Sequence, residues 1–123
     1  MLVTTSDDLQ EWLAREVQDN VVTKLMEYTY RQVVKLSPVD TGQFRASWNM
    51  TKNTPNFATI SDGTGLPPPD LPKLTFSKGE YPVIFISNGK HYGPYLEDGW
   101  SKQAPNGMIK VAMASAKVLG RFL

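Results

Sequence analysis

The stretch from residue 62 to residue 80 constrains the fold more than any other part of the chain, because prolines and glycines crowd it. Proline fixes φ and removes a backbone donor, so this stretch is unsuited to a helix interior or a central strand. Its Leu66–Pro72 run favours extended polyproline geometry. We therefore expect a Pro/Gly-rich extended loop at about 62–80, which is either an arm that reaches a neighbouring molecule or a flexible hairpin tip.

The chain before this loop has the pattern of a long amphipathic helix. Between Asp7 and Leu36, apolar residues recur at spacings close to the helical period. Thr5 or Ser6 can cap the start of this helix. Pro38 ends it, because a proline disfavours helical geometry at the residue before it. The sequence predicts one helix from about residue 7 to residue 36.

Several short segments predict an antiparallel sheet of about four strands. Phe44–Thr51 alternates apolar and polar residues, which is typical of a half-buried strand, and Phe57–Ser61 is a plausible partner. Tyr81–Ser87 is rich in β-branched and aromatic residues and predicts a buried strand. Asn88–Gly89 is a two-residue hairpin signal, after which Lys90–Tyr95 would pair back as a further strand.

The end of the chain predicts a second helix, at about Met108–Phe122, with a narrow apolar face. The order of helix, strands and helix indicates an α+β fold in which the C-terminal helix packs on the sheet. A chain of 123 residues with 41% hydrophobic and 20% charged residues has the size and composition of one globular domain. We therefore expect residues 1–123 to form a single domain.

Composition limits the classes of function and the compartment. The net charge of +1 gives no reason to expect a general affinity for nucleic acid or anionic membranes. The absence of cysteine suits a reducing compartment and excludes disulfides and thiolate chemistry. No apolar run approaches the roughly 20 residues of a membrane helix, and the N-terminus lacks the pattern of a signal peptide. We expect a protein of the cytoplasmic type without a membrane partner.

Catalytic constellations are hard to assemble from this sequence. His91 is the only histidine, so a metal cluster of histidines cannot form within one chain. Carboxylates that could bind a metal are those of Asp40, Glu97 and Asp98. A small Mg²⁺-dependent nuclease or hydrolase that uses them is therefore one alternative function. We expect no enzymatic activity, no metal and no cofactor.

Two motifs flank the proline-rich loop. The first is Ser37–Trp48, which contains Pro-Val-Asp-Thr-Gly followed by Phe44 and Arg45. The second is Tyr92–Pro105, which contains Tyr-Leu-Glu-Asp-Gly-Trp-Ser and ends in Ala-Pro. In this order, and with helices on either side, the two motifs resemble the neck or tail-completion family of tailed bacteriophages. Trp100 stands where that family has a small residue, and the loop at 62–80 is longer than expected.

The resemblance implies a structural virion protein of a tailed phage with no enzymatic activity. Such a protein would form a ring, expected to be a hexamer, at the head–tail junction and join the head connector to the tail. A tail terminator ring that caps the tail tube is the alternative within the same class. The implied partners are further copies of the chain and other connector, terminator or tail-tube proteins. DNA would be met only non-specifically in the channel, and assembly would take place in the cytoplasm of the bacterial host.

A ring needs two different patches on each subunit that meet and close. The residues that we expect at such an interface are Arg45, Trp48, Tyr92, Tyr95, Glu97, Trp100 and Lys102. The residues that we expect to fix turns are Pro38, Asp40, Thr41, Gly42, Gly99 and Pro105. Trp48 has an alternative place in the core of its own subunit. Glu97 is a candidate partner for Arg45, with the fixing of a turn as its alternative.

Overall fold

A computed structural model describes residues 23–76 and 82–121. The helices and strands in these ranges are α1 (Thr23–Leu36), α2 (Gln43–Ala46), β1 (Trp48–Lys52), β2 (Ile84–Asn88), α3 (Gly93–Glu97) and α4 (Ile109–Gly120). This mixed architecture confirms the α+β class. The predicted N-terminal helix is present from Thr23 to Leu36, and the rest of that prediction, residues 7–22, lies outside the described residues. None of the described helices is long and apolar enough to cross a membrane.

The sheet in the described residues has two antiparallel strands, where the sequence predicted about four. Trp48 pairs with Asn88 and Lys52 pairs with Ile84. The predicted strand over Phe44–Thr51 is wrong in its first half, because that half is the helical turn α2. It is right from Trp48 onward, where the buried residues alternate with half-buried ones as the strand period requires.

The segment 57–61, predicted as a strand, forms no ladder with its neighbours. Side chains take the place of the ladder. The amide of Ile60 donates to Oγ of Ser47 at 2.9 Å, and Oγ of Ser87 donates to the carbonyl oxygen of Asn56 at 2.7 Å. The segment therefore lies against the sheet without extending it.

The hairpin at Asn88–Gly89 is also a wrong prediction. A tight hairpin turn of this kind requires positive φ, and neither residue has it. Instead, Oδ1 of Asn88 accepts a hydrogen bond from the amide of Lys90 at 3.1 Å, which starts an Asx turn. The predicted strand at 90–95 is replaced by α3, which has Pro94 in its first turn, where proline is well tolerated.

The core lies between α1, the sheet and the start of α4. Its buried apolar members are Met26, Tyr30, Val33, Val34, Phe44, Trp48, Met50, Ala104, Met108 and Ala112. The main described partner of α4 is α1, which corrects the expectation that the C-terminal helix packs on the sheet. Ala112 is fully buried, and its small side chain permits the close approach. On the sheet side, an apolar groove of about 630 Å³ separates Met113 from Ile84 and Ile86.

Candidate protein-interaction surface

The first motif forms the turn that the sequence predicted, and the side chain of Thr41 supplies a hydrogen-bond acceptor in it. Oγ1 of Thr41 accepts the amide hydrogen of Gln43 at 3.2 Å, and no hydrogen bond of the Asp40 carboxylate occurs among the described residues. Gly42 has φ of +88°, and a Cβ there would lie 2.6 Å from the carbonyl oxygen of Leu66. Glycine is therefore needed at position 42 both for its backbone conformation and for space.

The proline-rich loop folds back onto this turn. The amide of Leu66 donates to the carbonyl of Thr41 at 3.1 Å, and Nη2 of Arg45 donates to the carbonyl of Leu66 at 2.9 Å. Nε2 of Gln43 donates to the carbonyl of Gly63 at 2.9 Å. This part of the loop is therefore neither an outstretched arm nor a free hairpin tip. The Nε–H of Arg45 is buried and has no acceptor in the part of the chain that the structure describes.

Trp48 belongs to the core. It is 4% exposed, its Nε1 donates to Oγ of Ser37 at 2.6 Å, and its ring meets that of Phe44 edge to face at 5.8 Å. Ser37 in turn donates to the carbonyl of Val33 at 2.6 Å, in the last turn of α1 before Pro38. The expectation that Trp48 lies at an interface is corrected, because its described contacts are within its own chain.

The second motif ends α3 in a Schellman turn. The amide of Gly99 donates to the carbonyl of Leu96 at 3.0 Å, and the amide of Trp100 donates to the carbonyl of Tyr95 at 3.2 Å. Gly99 has φ of +89°, and a Cβ there would lie 2.3 Å from the carbonyl oxygen of Pro105. The predicted structural role of Gly99 is thus explained by this turn, which also brings Trp100 back over α3.

Tyr95 and Trp100 form an exposed aromatic pair. Their ring centroids are 4.6 Å apart, and the two residues are 50% and 73% exposed. An apolar contact between these two positions commonly accompanies a Schellman turn, so the turn accounts for the contact between the two rings. Lys102 is exposed shortly after the pair. These three residues keep the exposure that an interface requires, and their role there stays a prediction.

Glu97 caps α4. Its Oε1 accepts the amide hydrogens of Met108 at 2.9 Å and Ile109 at 2.7 Å, and its Oε2 accepts that of Lys110 at 3.1 Å. These amides have no intrahelical partner, and a carboxylate there also faces the positive end of the helix dipole. Burial raises the pKa of Glu97, but the three amide hydrogen bonds and the charge of Lys110 outweigh it, so the pKa lies below its ordinary value of 4.5. Of the alternatives for Glu97, the structure favours a structural role.

Gln103 joins the two motifs. Its Oε1 accepts the amide hydrogen of Val39 at 2.9 Å, and its Nε2 donates to the carbonyl of Val39 at 3.1 Å. Beside this link, the half-buried ring of Tyr92 lies 5.8 Å from that of Phe44. Burial, and then the negative charge of Asp40, raise the pKa of Tyr92. Sequence reasoning assigned no role to Gln103, and a glutamine in a polar turn carries no signal of such a link.

A basic cleft of about 540 Å³ lies between α1 and the proline-rich loop. The residues that give it its character are Arg31, Lys35, Arg45, Pro68, Pro69 and Asp70. Three cations against one carboxylate leave an excess of positive charge there. Arg31 and Lys35 are exposed, so their charges face solvent. The cleft is therefore suited to a partner that brings a negative charge.

The carboxylates of the metal-dependent alternative are not gathered into one site. Within residues 23–76 and 82–121, no group of three or more histidine, cysteine, aspartate or glutamate residues could hold a metal ion. The carboxylate of Glu97 is engaged at α4, and Asp98 and Asp40 are exposed. His91 is exposed as well.

We compared the chain with known protein families, proteins and structures. No protein-family model, no curated protein and no solved structure matches this chain. The resemblance to phage neck and tail-completion proteins therefore stays a prediction from the two motifs.

Proposed function

We propose that this chain is a structural protein of a tailed-phage virion, which assembles with copies of itself into a ring at the head–tail junction. The two motifs that resemble the neck or tail-completion family are the basis of this proposal. They lie more than 40 residues apart in the sequence and come together through the link between Val39 and Gln103. A pair of segments that folds into one unit is what a shared structural role of the two motifs requires.

The observation that carries the proposal is the exposed aromatic pair, Tyr95 and Trp100, on a rigid turn. A tryptophan that is 73% exposed leaves a large apolar surface in water. Tryptophan and tyrosine are enriched where proteins contact each other, because they bury much area at a low cost in conformational entropy. The surface around them is therefore suited to contact with another protein.

Native mass spectrometry over a series of protein concentrations tests the proposal, with negative-stain imaging of any large species. We expect closed rings, with six subunits as the expected number, whose fraction rises with concentration. A chain that stays monomeric at every concentration contradicts self-assembly. Thermal unfolding with and without Mg²⁺ then distinguishes a structural protein from a metal-dependent enzyme. The enzyme is stabilised by its ion, and the proposed structural protein is not.

A further inference from the structure

We propose that the aromatic pair of one subunit binds the proline-rich run Pro67–Pro69 of a second copy of this chain, at the edge of the basic cleft. This inference rests on the proposed function and names the contact that would join neighbouring subunits. The contact uses both of the surfaces that each subunit of a ring requires. One is the aromatic pair, and the other is the cleft with its proline wall.

The aromatic pair has the chemistry that recognises proline. Extended proline-rich segments dock on grooves lined by aromatic rings, because the flat faces of proline rings pack well against them. Tyr95 and Trp100 present two such rings, 4.6 Å apart and both exposed. The Schellman turn at Gly99 holds both rings in place before a partner arrives, which lowers the entropic cost of binding.

The proline-rich run has the matching exposure. Pro67 and Pro68 are exposed, and Pro69 is half-buried. Leu66, immediately before the run, is held by hydrogen bonds from its amide to Thr41 and from Arg45 to its carbonyl. The prolines restrict φ by their own rings, so this run is preformed as well. Neither surface has to be ordered on contact.

The charges on the two surfaces are complementary in both signs. Beside the prolines, the cleft presents Arg31 and Lys35 together with the carboxylate of Asp70. Beside the aromatic pair, Asp98 and Lys102 are exposed. In the proposed contact, Asp98 faces Arg31 and Lys35, and Lys102 faces Asp70, so these exposed charges meet charges of opposite sign. Such pairing fixes register and excludes wrong partners more than it adds affinity.

The contact is heterologous, because the two surfaces share no residue. One subunit can present its aromatic pair to one neighbour and its cleft to another, which is the arrangement that a closed ring needs. The volume of the cleft, about 540 Å³, lies in the range of pockets that enclose a drug-sized molecule, so there is room for aromatic rings at its edge.

The first experiment removes each half of the apolar contact in the full chain. Trp100→Ala, and separately the double substitution Pro68→Ala with Pro69→Ala, should each raise the concentration for half-assembly by about ten-fold or more in sedimentation velocity. Phe57→Ala is the matched control for the tryptophan, since Phe57 is 61% exposed and lies outside both surfaces. Pro72→Ala is the control for the prolines. Circular dichroism and thermal unfolding establish that each variant is folded.

The second experiment reverses the charges. Asp98→Lys alone should weaken assembly, as should Arg31→Glu combined with Lys35→Glu. All three substitutions together should restore assembly to within about three-fold of the wild type, because the opposite signs again face each other. Lys24→Glu is the control for a change in net charge, because Lys24 lies about two turns before Arg31 on α1 and outside the cleft.

The outcomes separate this contact from the proposed function. If the wild type forms rings and the Trp100 and proline variants assemble as well as it does, the contact is wrong while the ring stands. The same holds if charge reversal in the cleft weakens assembly and Asp98→Lys does not, because the cleft then receives another occupant. A wild type that stays monomeric at all concentrations overturns both.

Discussion

The side-chain amide of Gln103 and the backbone of Val39 exchange two hydrogen bonds, of 2.9 and 3.1 Å, across 64 positions of sequence. The geometry is that of a strand pair in which a glutamine replaces one of the two backbones. This link joins the turn after α1 to the segment between α3 and α4, and the contact between the rings of Phe44 and Tyr92 joins α2 to the residue before α3. One polar side chain therefore contributes to the contact between the two motifs, together with two aromatic rings.

Removing that side chain should loosen the link. Gln103→Ala leaves the amide and the carbonyl of Val39 to water, and because the site is exposed we expect a loss of about 1 kcal/mol in the free energy of unfolding. Urea denaturation followed by circular dichroism measures the loss. Lys73→Ala, at an exposed position outside both proposed surfaces, should stay within about 0.5 kcal/mol of the wild type. Equal stabilities of the two variants would show that the link contributes nothing.

Glu97 makes the second contact between separate segments, and its negative charge strengthens the hydrogen bonds that it accepts at the start of α4. In Glu97→Gln, one end of the side chain becomes a donor, which cannot accept the amide hydrogens at the start of α4. We expect a loss of about 1–2 kcal/mol in the free energy of unfolding near neutral pH. Asp62→Asn removes a charge from an exposed position without a described hydrogen bond, so this control should change little. A Glu97→Gln variant as stable as the wild type would contradict the capping role.

The same carboxylate predicts how stability depends on pH. Folding lowers the pKa of Glu97 below 4.5, so the ionised form favours the folded state. Its contribution is fully present above the unfolded value and is lost as the pH falls through the folded value. We therefore expect the stability gap between the wild type and Glu97→Gln to stay constant from about pH 7 to about pH 5.5 and to close as the pH falls below 4.5 and through the lower folded-state pKa. Urea titrations of both proteins across this range check it, and a gap that does not change with pH would contradict the ionised cap.

Local signals explain which parts of the fold could be predicted from the sequence. Pro38 ends α1 by a steric effect on its immediate neighbour, and the helical period of α4 lies within that one segment. Gly42 and Gly99 likewise stand where the backbone itself needs positive φ. Each of these features depends on residues that are close together in the chain.

The errors come from patterns that fit two structures. Phe44 and Trp48 share a face in a strand, but a spacing of four also suits a helical turn, and Ser47 supports that turn by donating to the carbonyl of Gln43 at 2.6 Å. Asn88–Gly89 can form a hairpin turn or an Asx turn, and the helix that follows decides between them. Alternation of apolar residues does not distinguish the strand from the helical turn, and turn propensity does not distinguish the hairpin from the Asx turn.

The candidate site likewise has features that depend on nearby residues and features that depend on distant ones. Exposure of Tyr95 and Trp100 follows from a motif that the sequence displays, whereas the roles of Glu97 and Gln103 depend on partners many positions away. Glu97, two residues before a glycine, has the pattern of a turn residue, and nothing nearby in the sequence shows that its oxygens will meet the start of a helix. Such contacts arise only once the chain is folded.

The Schellman turn at Gly99 offers the sharpest test of the second motif. Gly99→Ala forces a Cβ onto a residue with φ of +89° and within 2.3 Å of the Pro105 carbonyl oxygen, so both the conformation and the space oppose it. We expect a loss of at least about 2 kcal/mol in the free energy of unfolding. Gly65→Ala is the matched control, because Gly65 also has positive φ, +62°, but nothing lies within 4 Å of the added carbon. Its loss should be about 1 kcal/mol, from the backbone conformation alone. The difference between the two variants therefore measures the close approach of Pro105 to the turn, and equal losses would show that the approach costs nothing to relax.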